Sequence, residues 1–115
     1  MPITRDFRET VIERAKEDKE FRQLMLVNGF IYLLLGRNEE DVFVGRSGIR
    51  DYINATLGFQ KLAEKTGIHV KSLMQMFSNK GNPSQHNLNL VFRVLFKQEK
   101  MKPEDFLHGK ALVAA

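Results

Sequence analysis

A chain of 115 residues, with 43% hydrophobic and 28% charged residues, is long enough to fold as one domain around its own core. It contains no Cys, which excludes a disulfide framework and thiolate chemistry. The net charge of +4 is unevenly distributed, because residues 58–115 hold nine Lys and Arg against four Asp and Glu, whereas residues 1–57 are close to neutral. A basic half favours an anionic partner, with nucleic acid the first candidate, although charge alone leaves open that the lysines only solvate a surface.

The apolar stretch from Leu24 to Leu35 is the strongest candidate for a membrane segment. Asn28 and Gly29 interrupt it, and it is shorter than the roughly 20 residues that a spanning helix needs. We therefore interpret it as a buried helix and expect no membrane partner. The first ten residues, MPITRDFRET, are charged and lack the apolar core of a signal peptide, so we expect a cytoplasmic protein.

The chain is predicted to be almost wholly helical. Asp18 is placed to cap a second helix, which Gly36 would end. Asn38 begins the stretch NEEDVFVGRSGIRDYINAT, which predicts a third helix, although Gly45 and Gly48 each cost roughly 1 kcal/mol relative to Ala. The alternative for the residues DVFV is a brief extended segment. The first predicted helix carries four apolar residues at helical spacing, Phe7, Val11, Ile12 and Ala15.

The stretch GFQKLAEKTGIHVKSLMQMFSNKGNP, at residues 58–83, predicts two short helices joined by a tight corner. Ala63 is small enough for the two helices to approach closely, and Gly67 can adopt a left-handed conformation at little cost. Ser84 is a candidate cap for the next helix. Pro103 suits the first turn of a last short helix, PEDFL, and the tail HGKALVAA is expected to fray.

The second helix of the corner is predicted to bury one face and to present the other. The residues expected to fill the space behind it are Leu62, Ile68, Leu73 and Met76. The residues expected to point outward are His69, Val70, Lys71, Met74, Gln75 and Ser78. Lys suits guanine and Gln suits adenine in the major groove of DNA, so the outward face predicts DNA reading. The alternative is that Lys71 and Gln75 are simply solvated.

The loop after this helix is a candidate for contact with the DNA backbone. Its amides, with Lys80, can hold a phosphate, although the letters NKGNPS also suit ordinary turn chemistry. The candidate DNA-binding residues in this region are Asn79, Lys80, Asn82, Ser84 and Gln85.

The position pattern from Phe59 to Ser78 resembles the helix-turn-helix of Cro and phage-repressor-like (XRE-type) regulators. Over a longer span the chain resembles the small bacterial addiction-module antidote proteins, in which a helical N-terminal segment precedes RDYINA, the helix-turn-helix and a GNP loop. The matching stretches are FRETVIERAKEDKEFRQLML and IRDYINATLGFQKLAEKTGIHVKSLMQMFSNKGNPSQHNLNLVFRVL. That family usually starts the second helix with Ser, Thr or Pro, whereas this chain has Ile68 and His69, a poor cap.

The resemblance implies an all-α fold with three parts. Residues 1–43 would form an N-terminal helical segment that serves as a dimerisation or partner arm. Residues 44–107 would form a compact five-helix lambda-repressor-like DNA-binding domain, and residues 108–115 a C-terminal tail. The resemblance also implies a neighbouring gene for a toxin of the RelE/ParE type, with that toxin as a partner.

Three functions are left open by the sequence. The chain can be a stand-alone transcriptional repressor, an antitoxin that binds both DNA and a toxin, or a protein-interaction module that keeps the helix-turn-helix as a scaffold without binding DNA. We expect double-stranded DNA as the partner and a homodimer, because major-groove readers of this type usually bind two half-sites. We expect no enzyme, cofactor or metal, because the three His residues lie far apart in sequence and no HExxH, GxSxG or P-loop motif occurs.

Overall fold

A computed structural model describes residues 5–107, and within that range the chain forms seven α-helices and no β-strand. In chain order these are α1 (Arg5–Glu17), α2 (Lys19–Leu35), α3 (Glu39–Ala55), α4 (Gly58–Thr66), α5 (Val70–Met76), α6 (Gln85–Gln98) and α7 (Pro103–Leu107). The all-helical prediction is confirmed, and the letters DVFV belong to α3. None of the described helices is long and apolar enough to cross a membrane. The tail HGKALVAA lies outside the described residues.

Polar side chains mark the starts of three helices, as the sequence predicts. Asp18, Asn38 and Ser84 each accept a hydrogen bond from the backbone amide three residues further on, at 3.1, 2.9 and 3.1 Å. Each bond satisfies one of the amides that the first turn of a helix leaves without a partner. These starts depend only on nearby residues, which is why the sequence predicts them.

Helices α2 and α3 pack most closely at their glycines. A Cβ atom added at Gly45 would lie 2.4 Å from the backbone nitrogen of Leu33, and one added at Gly29 would lie 2.6 Å from Cδ1 of Ile49. Both distances are far below van der Waals contact. Gly45, one of the two glycines that weaken the prediction of α3, and Gly29 of α2 therefore let the two helices approach each other.

Gly36 ends α2, but it does so without a left-handed conformation. Its φ is −59°, which any residue can adopt. A Cβ at this position would instead lie 2.5 Å from the carbonyl oxygen of Tyr32. Lack of space, rather than freedom of the backbone, is what requires glycine here.

The expectation that the stretch from Leu24 to Leu35 is a buried helix is wrong for one face of α2. Leu26 is fully buried, whereas 59% of Leu24, 39% of Leu34 and 74% of Leu35 are exposed. A helix turns its residues to all sides, so the neighbours α1, α3 and α6 cover only part of α2. An apolar face of α2 is left at the surface.

The core draws on five helices. Its buried residues are Leu26, Ile49, Tyr52, Ile53, Leu62, Leu73, Met76, Phe77, Leu88, Val91, Phe92 and Leu95. Phe30 of α2 meets Phe92 and Phe96 of α6 edge-on, with ring centroids 4.8 and 5.2 Å apart. The boundary predicted between residues 43 and 44 falls inside α3, and α2 shares a core with α4 to α6. The N-terminal helices are therefore packed onto the rest of the chain.

Candidate nucleic-acid interface

Helices α4 and α5 form the corner that the sequence predicts. Gly67 follows the last residue of α4 with a φ of 77°, in the left-handed region that glycine occupies without strain. Its amide donates to the carbonyl oxygen of Ala63 at 2.9 Å and so closes the last turn of α4. Ala63 is partly buried and packs against the core.

His69 caps α5 with its own side chain. Its Nδ1 atom accepts a hydrogen bond from the backbone amide of Lys71 at 3.2 Å. Imidazole nitrogen can therefore replace the usual hydroxyl or carboxylate oxygen, and the expectation that His69 is a poor cap is wrong. As the cap, His69 precedes the first residue of the helix, Val70.

The second helix is shorter than the predicted span of residues 69–78. It ends at Met76, because the carbonyl oxygen of Gln75 accepts both the amide of Ser78 at 3.1 Å and its hydroxyl at 2.8 Å. This three-residue spacing tightens the chain and stops the helix. Phe77 then turns into the core, where it is fully buried.

The outer face of α5 carries three exposed side chains of the predicted set, Lys71, Met74 and Gln75. Leu73 and Met76, on the opposite side, are buried in the core. The helix is thus anchored from behind and presents a polar face with one apolar side chain. Val70 was predicted to point outward, but it is half-buried, since it begins the turn that packs against α4. Ser72 is exposed on α5 and is absent from the predicted set.

The loop after α5 keeps most of its predicted residues at the surface. Asn79, Lys80 and Asn82 are exposed, and so is Gln85 in the first turn of α6. The hydroxyl oxygen of Ser84 accepts the amide that it caps, which leaves its O–H able to donate to a further group. Ser78, which was predicted to point outward, is half-buried, since its amide and hydroxyl both bind the carbonyl oxygen of Gln75. The exposed residues of α5 and of the loop lie on either side of it.

Two residues outside the predicted set position this loop. Arg46 of α3 donates from Nη1 to the carbonyl oxygen of Asn79 at 2.9 Å. Gly81 lies against the end of α5, where an added Cβ would be 2.3 Å from the carbonyl oxygen of Gln75 and 2.4 Å from that of Met76. The sequence motif GNP indicates a loop at Gly81, so a local pattern points to this residue. Arg46 lies 33 residues earlier in the chain than its acceptor, so no local pattern reveals it.

One turn beyond Arg46, the guanidinium of Arg50 is also partly buried. The Nε atoms of Arg46 and Arg50 are both buried and lack a hydrogen-bond partner among the described residues. Burial lowers the pKa of Arg50 from its ordinary value, and the nearby charge of Arg8 lowers it further, while Asp51 opposes the shift. Arg46 and Arg50 lie one turn apart on α3, so this side of the helix carries two guanidinium groups.

The charge of this region is uniform in sign. Between Glu64 and Glu99 the chain contains no Asp or Glu. Lys and Arg in the same stretch are Lys65, Lys71, Lys80, Arg93 and Lys97. A phosphate approaching α5 or its loop therefore meets no carboxylate from this part of the chain, which suits an interface with a nucleic acid.

The described residues contain no group of three or more His, Asp or Glu side chains placed to hold a metal ion. Comparison of the chain with protein-family models, with curated proteins and with solved structures found no match. The resemblance to antidote proteins therefore depends on the quoted motifs alone.

Proposed function

We propose that the protein is a sequence-specific DNA-binding transcriptional regulator, acting as a repressor, that inserts α5 into the major groove. The observation that carries this proposal is the contrast between the two sides of α5, with Leu73 and Met76 buried and Lys71 and Gln75 exposed. An α-helix with its side chains is about 10–12 Å in diameter and the major groove is about 12 Å wide, so α5 can fit within it.

In this proposal the exposed residues divide into two groups by role. Lys71 and Gln75 lie one turn apart on the same face and read base edges. Asn79 and Lys80 lie in the loop that Arg46 holds, and they meet the phosphate backbone. Backbone contacts would set the orientation of α5, and the helix would supply the sequence preference.

We also propose that residues 44–107 have the five-helix arrangement of lambda-repressor-like domains. The left-handed corner at Gly67, followed by a short half-buried helix and a capped α6, supports this assignment. Such domains present their second corner helix to DNA as a dimer, so we propose a homodimer that spans two half-sites.

Selection of duplexes from a randomised pool by the purified protein tests the proposed function. We expect enrichment of one sequence, with an affinity that falls as salt concentration rises, because phosphate contacts release counterions. The double variant Lys71→Ala, Gln75→Ala should lose the preference for that sequence. Lys65→Ala on α4 removes an equal charge outside the proposed interface and serves as the control.

Binding of the parent protein to all duplexes alike, or to none, would contradict the proposal and favour an interaction module that keeps the helix-turn-helix as a scaffold. An antitoxin role, with a RelE/ParE-type toxin as second partner, stays a prediction from the resemblance. The identity of the neighbouring gene and co-purification of its product test that prediction separately from DNA binding.

A further inference from the structure

A large apolar groove lies between α2 and α6, away from the residues proposed to contact DNA. Its volume is about 1250 Å³. Apolar side chains that line it include Val27, Phe30, Ile31, Phe92, Phe96 and Met101. Leu35, at one end of the groove, is 74% exposed, so the groove continues into the uncovered face of α2. An apolar groove rimmed by polar residues is a common kind of binding site for another molecule.

Cationic residues line the same groove along α6 and the turn that follows it. The four are Arg93, Lys97, Lys100 and Lys102, and all are exposed. None of them forms an ion pair with a carboxylate among the described residues. Glu104 and Asp105 follow soon after in the chain, but neither lines the groove.

The turn after α6 brings two of these cations to the groove. Lys100 has a φ of 59°, in the left-handed region that residues with a side chain rarely adopt. The amide of Met101 then donates to the carbonyl oxygen of Phe96 at 3.0 Å, which folds the chain back over the end of the helix. Lys100, Met101 and Lys102 thereby close one end of the groove.

We propose that this groove binds an amphipathic helix of another protein, one that carries Asp or Glu beside its apolar face. The groove exceeds the roughly 300–1,000 Å³ of small-molecule sites. Its cations follow one another along α6 and the turn after it, which suits an extended partner better than a compact ligand. A helix laid in such a groove buries its apolar residues against the aromatic floor. Its acidic residues then meet the cations of α6.

Charge decides against two other occupants. A second copy of the chain would bring the same four cations to the contact, where like charges repel. Residues 108–115 carry Lys110 and no Asp or Glu, so they cannot complement the basic side of the groove with acidic side chains. An acidic partner helix is the occupant that satisfies both the apolar floor and the cations.

The probe is a synthetic, fluorescently labelled peptide of about 18 residues, or five helical turns, with Leu on one face and Glu beside it. One control peptide has Lys in place of every Glu, and a second has the same composition as the probe in an order that forms no apolar face. We expect saturable binding of the probe, measured by fluorescence anisotropy, at least about tenfold tighter than either control.

Two pairs of variants locate the binding site. Leu35→Glu places a carboxylate on an exposed residue of the groove and should weaken the probe about tenfold or more, whereas Tyr32→Glu, on an exposed residue of α2 outside the groove, should not. The double variant Arg93→Glu, Lys97→Glu should reverse the preference toward the Lys peptide. A reversal cannot arise from unfolding. Lys61→Glu, Lys65→Glu on α4 is the matched control and should keep the parent preference.

Three results would overturn the proposal. Equal binding of the probe and the peptide without an apolar face would show attraction by charge alone. Equal binding of the Glu and Lys peptides, or no saturation by any of them, would show that the groove does not select an acidic helix. Self-association that Leu35→Glu abolishes would show that a second copy occupies the groove.

Discussion

Lys71, Gln75 and Lys80 lie close in sequence but in different settings, and their roles should differ accordingly. Lys71 and Gln75 project from the outer face of α5, whereas Lys80 lies in the loop beyond the helix. A side chain on a helix in the major groove can reach base edges, while a loop at its end meets the sugar-phosphate backbone. Lys71 has a stem long enough to reach either a guanine or a phosphate.

Gln75→Ala should cost roughly 1–3 kcal/mol of binding free energy on the preferred duplex and relax the preference at about one base pair. Lys80→Ala should weaken binding to all duplexes alike and reduce the slope of log affinity against log salt by about one. Competition binding against randomised duplexes at several salt concentrations separates the two effects. Equal losses that do not depend on sequence would mean that α5 does not read bases.

His69 shows how a residue-level expectation fails for a local reason. Ser, Thr, Asp and Asn are preferred at the start of a helix because their short side chains place an oxygen near the free amides. In this chain the extended backbone at His69, with ψ of 140°, brings Nδ1 to the same place, and the helix starts there nonetheless.

Two glycines of α3, three residues apart, differ in whether the packing requires them. A Cβ at Gly45 would lie 2.4 Å from the backbone of α2, while a Cβ at Gly48 would lie 3.7 Å from Cα of Gly29. The second distance is ordinary van der Waals contact. One glycine is required by the approach of α2, and the other only lowers the helix propensity of α3.

Gly48→Ala should therefore raise the free energy of unfolding by up to about 1 kcal/mol, the propensity difference between Gly and Ala in a helix. Gly45→Ala should lower it by about 1–3 kcal/mol or more, because backbone atoms of α2 must move apart. Urea unfolding followed by circular dichroism measures both. A stabilising Gly45→Ala would mean that α2 and α3 are not packed as closely as the structure has them.

Phe43 and Val44 form an exposed apolar pair on α3, with 44% and 48% of their surfaces accessible. The next residue, Gly45, faces α2, so these two point away from it. We expect the homodimer contact to include them. Val44→Glu should convert a dimer into a monomer in sedimentation at high micromolar concentration, while Lys65→Glu should not. A parent protein that is monomeric under these conditions without DNA would contradict the proposed dimer.

A buried polar network joins the ends of α2, α3 and α6. The hydroxyl of Tyr52 donates to Oε2 of Glu99 at 2.5 Å, and Nε of Arg22 donates to the same oxygen at 3.0 Å. Gln98 in turn donates to the Tyr52 hydroxyl oxygen at 2.9 Å. Glu99 is 7% exposed, so its charge depends on these partners for compensation.

Burial, and then the hydrogen bond to Glu99, raises the pKa of Tyr52 above its ordinary value, although the bond from Gln98 opposes the shift. The folded state therefore holds this proton at pH values where the unfolded state has released it. The raised pKa of Tyr52 makes its full contribution to the free energy of unfolding below the unfolded pKa of about 10. This contribution is lost as pH rises above that value, by up to about 1.4 kcal/mol per pH unit.

Tyr52→Phe should lower the free energy of unfolding near neutral pH by about 1–3 kcal/mol, since Glu99 loses a donor. It should also remove part of the alkaline loss of stability between about pH 9 and about pH 11. Urea unfolding across this range measures both effects, with Tyr32→Phe, at an exposed position, as control. Identical alkaline slopes for Tyr52→Phe and the parent would show that Tyr52 does not contribute to the pH dependence.

Local chemistry allowed much of this molecule to be predicted from its residues alone. Asp18, Asn38 and Ser84 cap helices through bonds to an amide three positions away, and Gly67 needs only its own backbone to turn the corner. The outward positions of Lys71, Met74 and Gln75 follow from helical spacing once α5 exists. These features require no knowledge of distant residues.

The exposed groove and the long-range hydrogen bonds were decided by tertiary packing, because they depend on which surfaces of the helices meet. Apolarity between Leu24 and Leu35 does not tell which face α3 and α6 cover, so the exposed groove was not predicted. The bond from Arg46 to the loop and the bond from Tyr52 to Glu99 join residues 33 and 47 positions apart. Such pairs form only when folding brings distant segments together, and no local spacing encodes them.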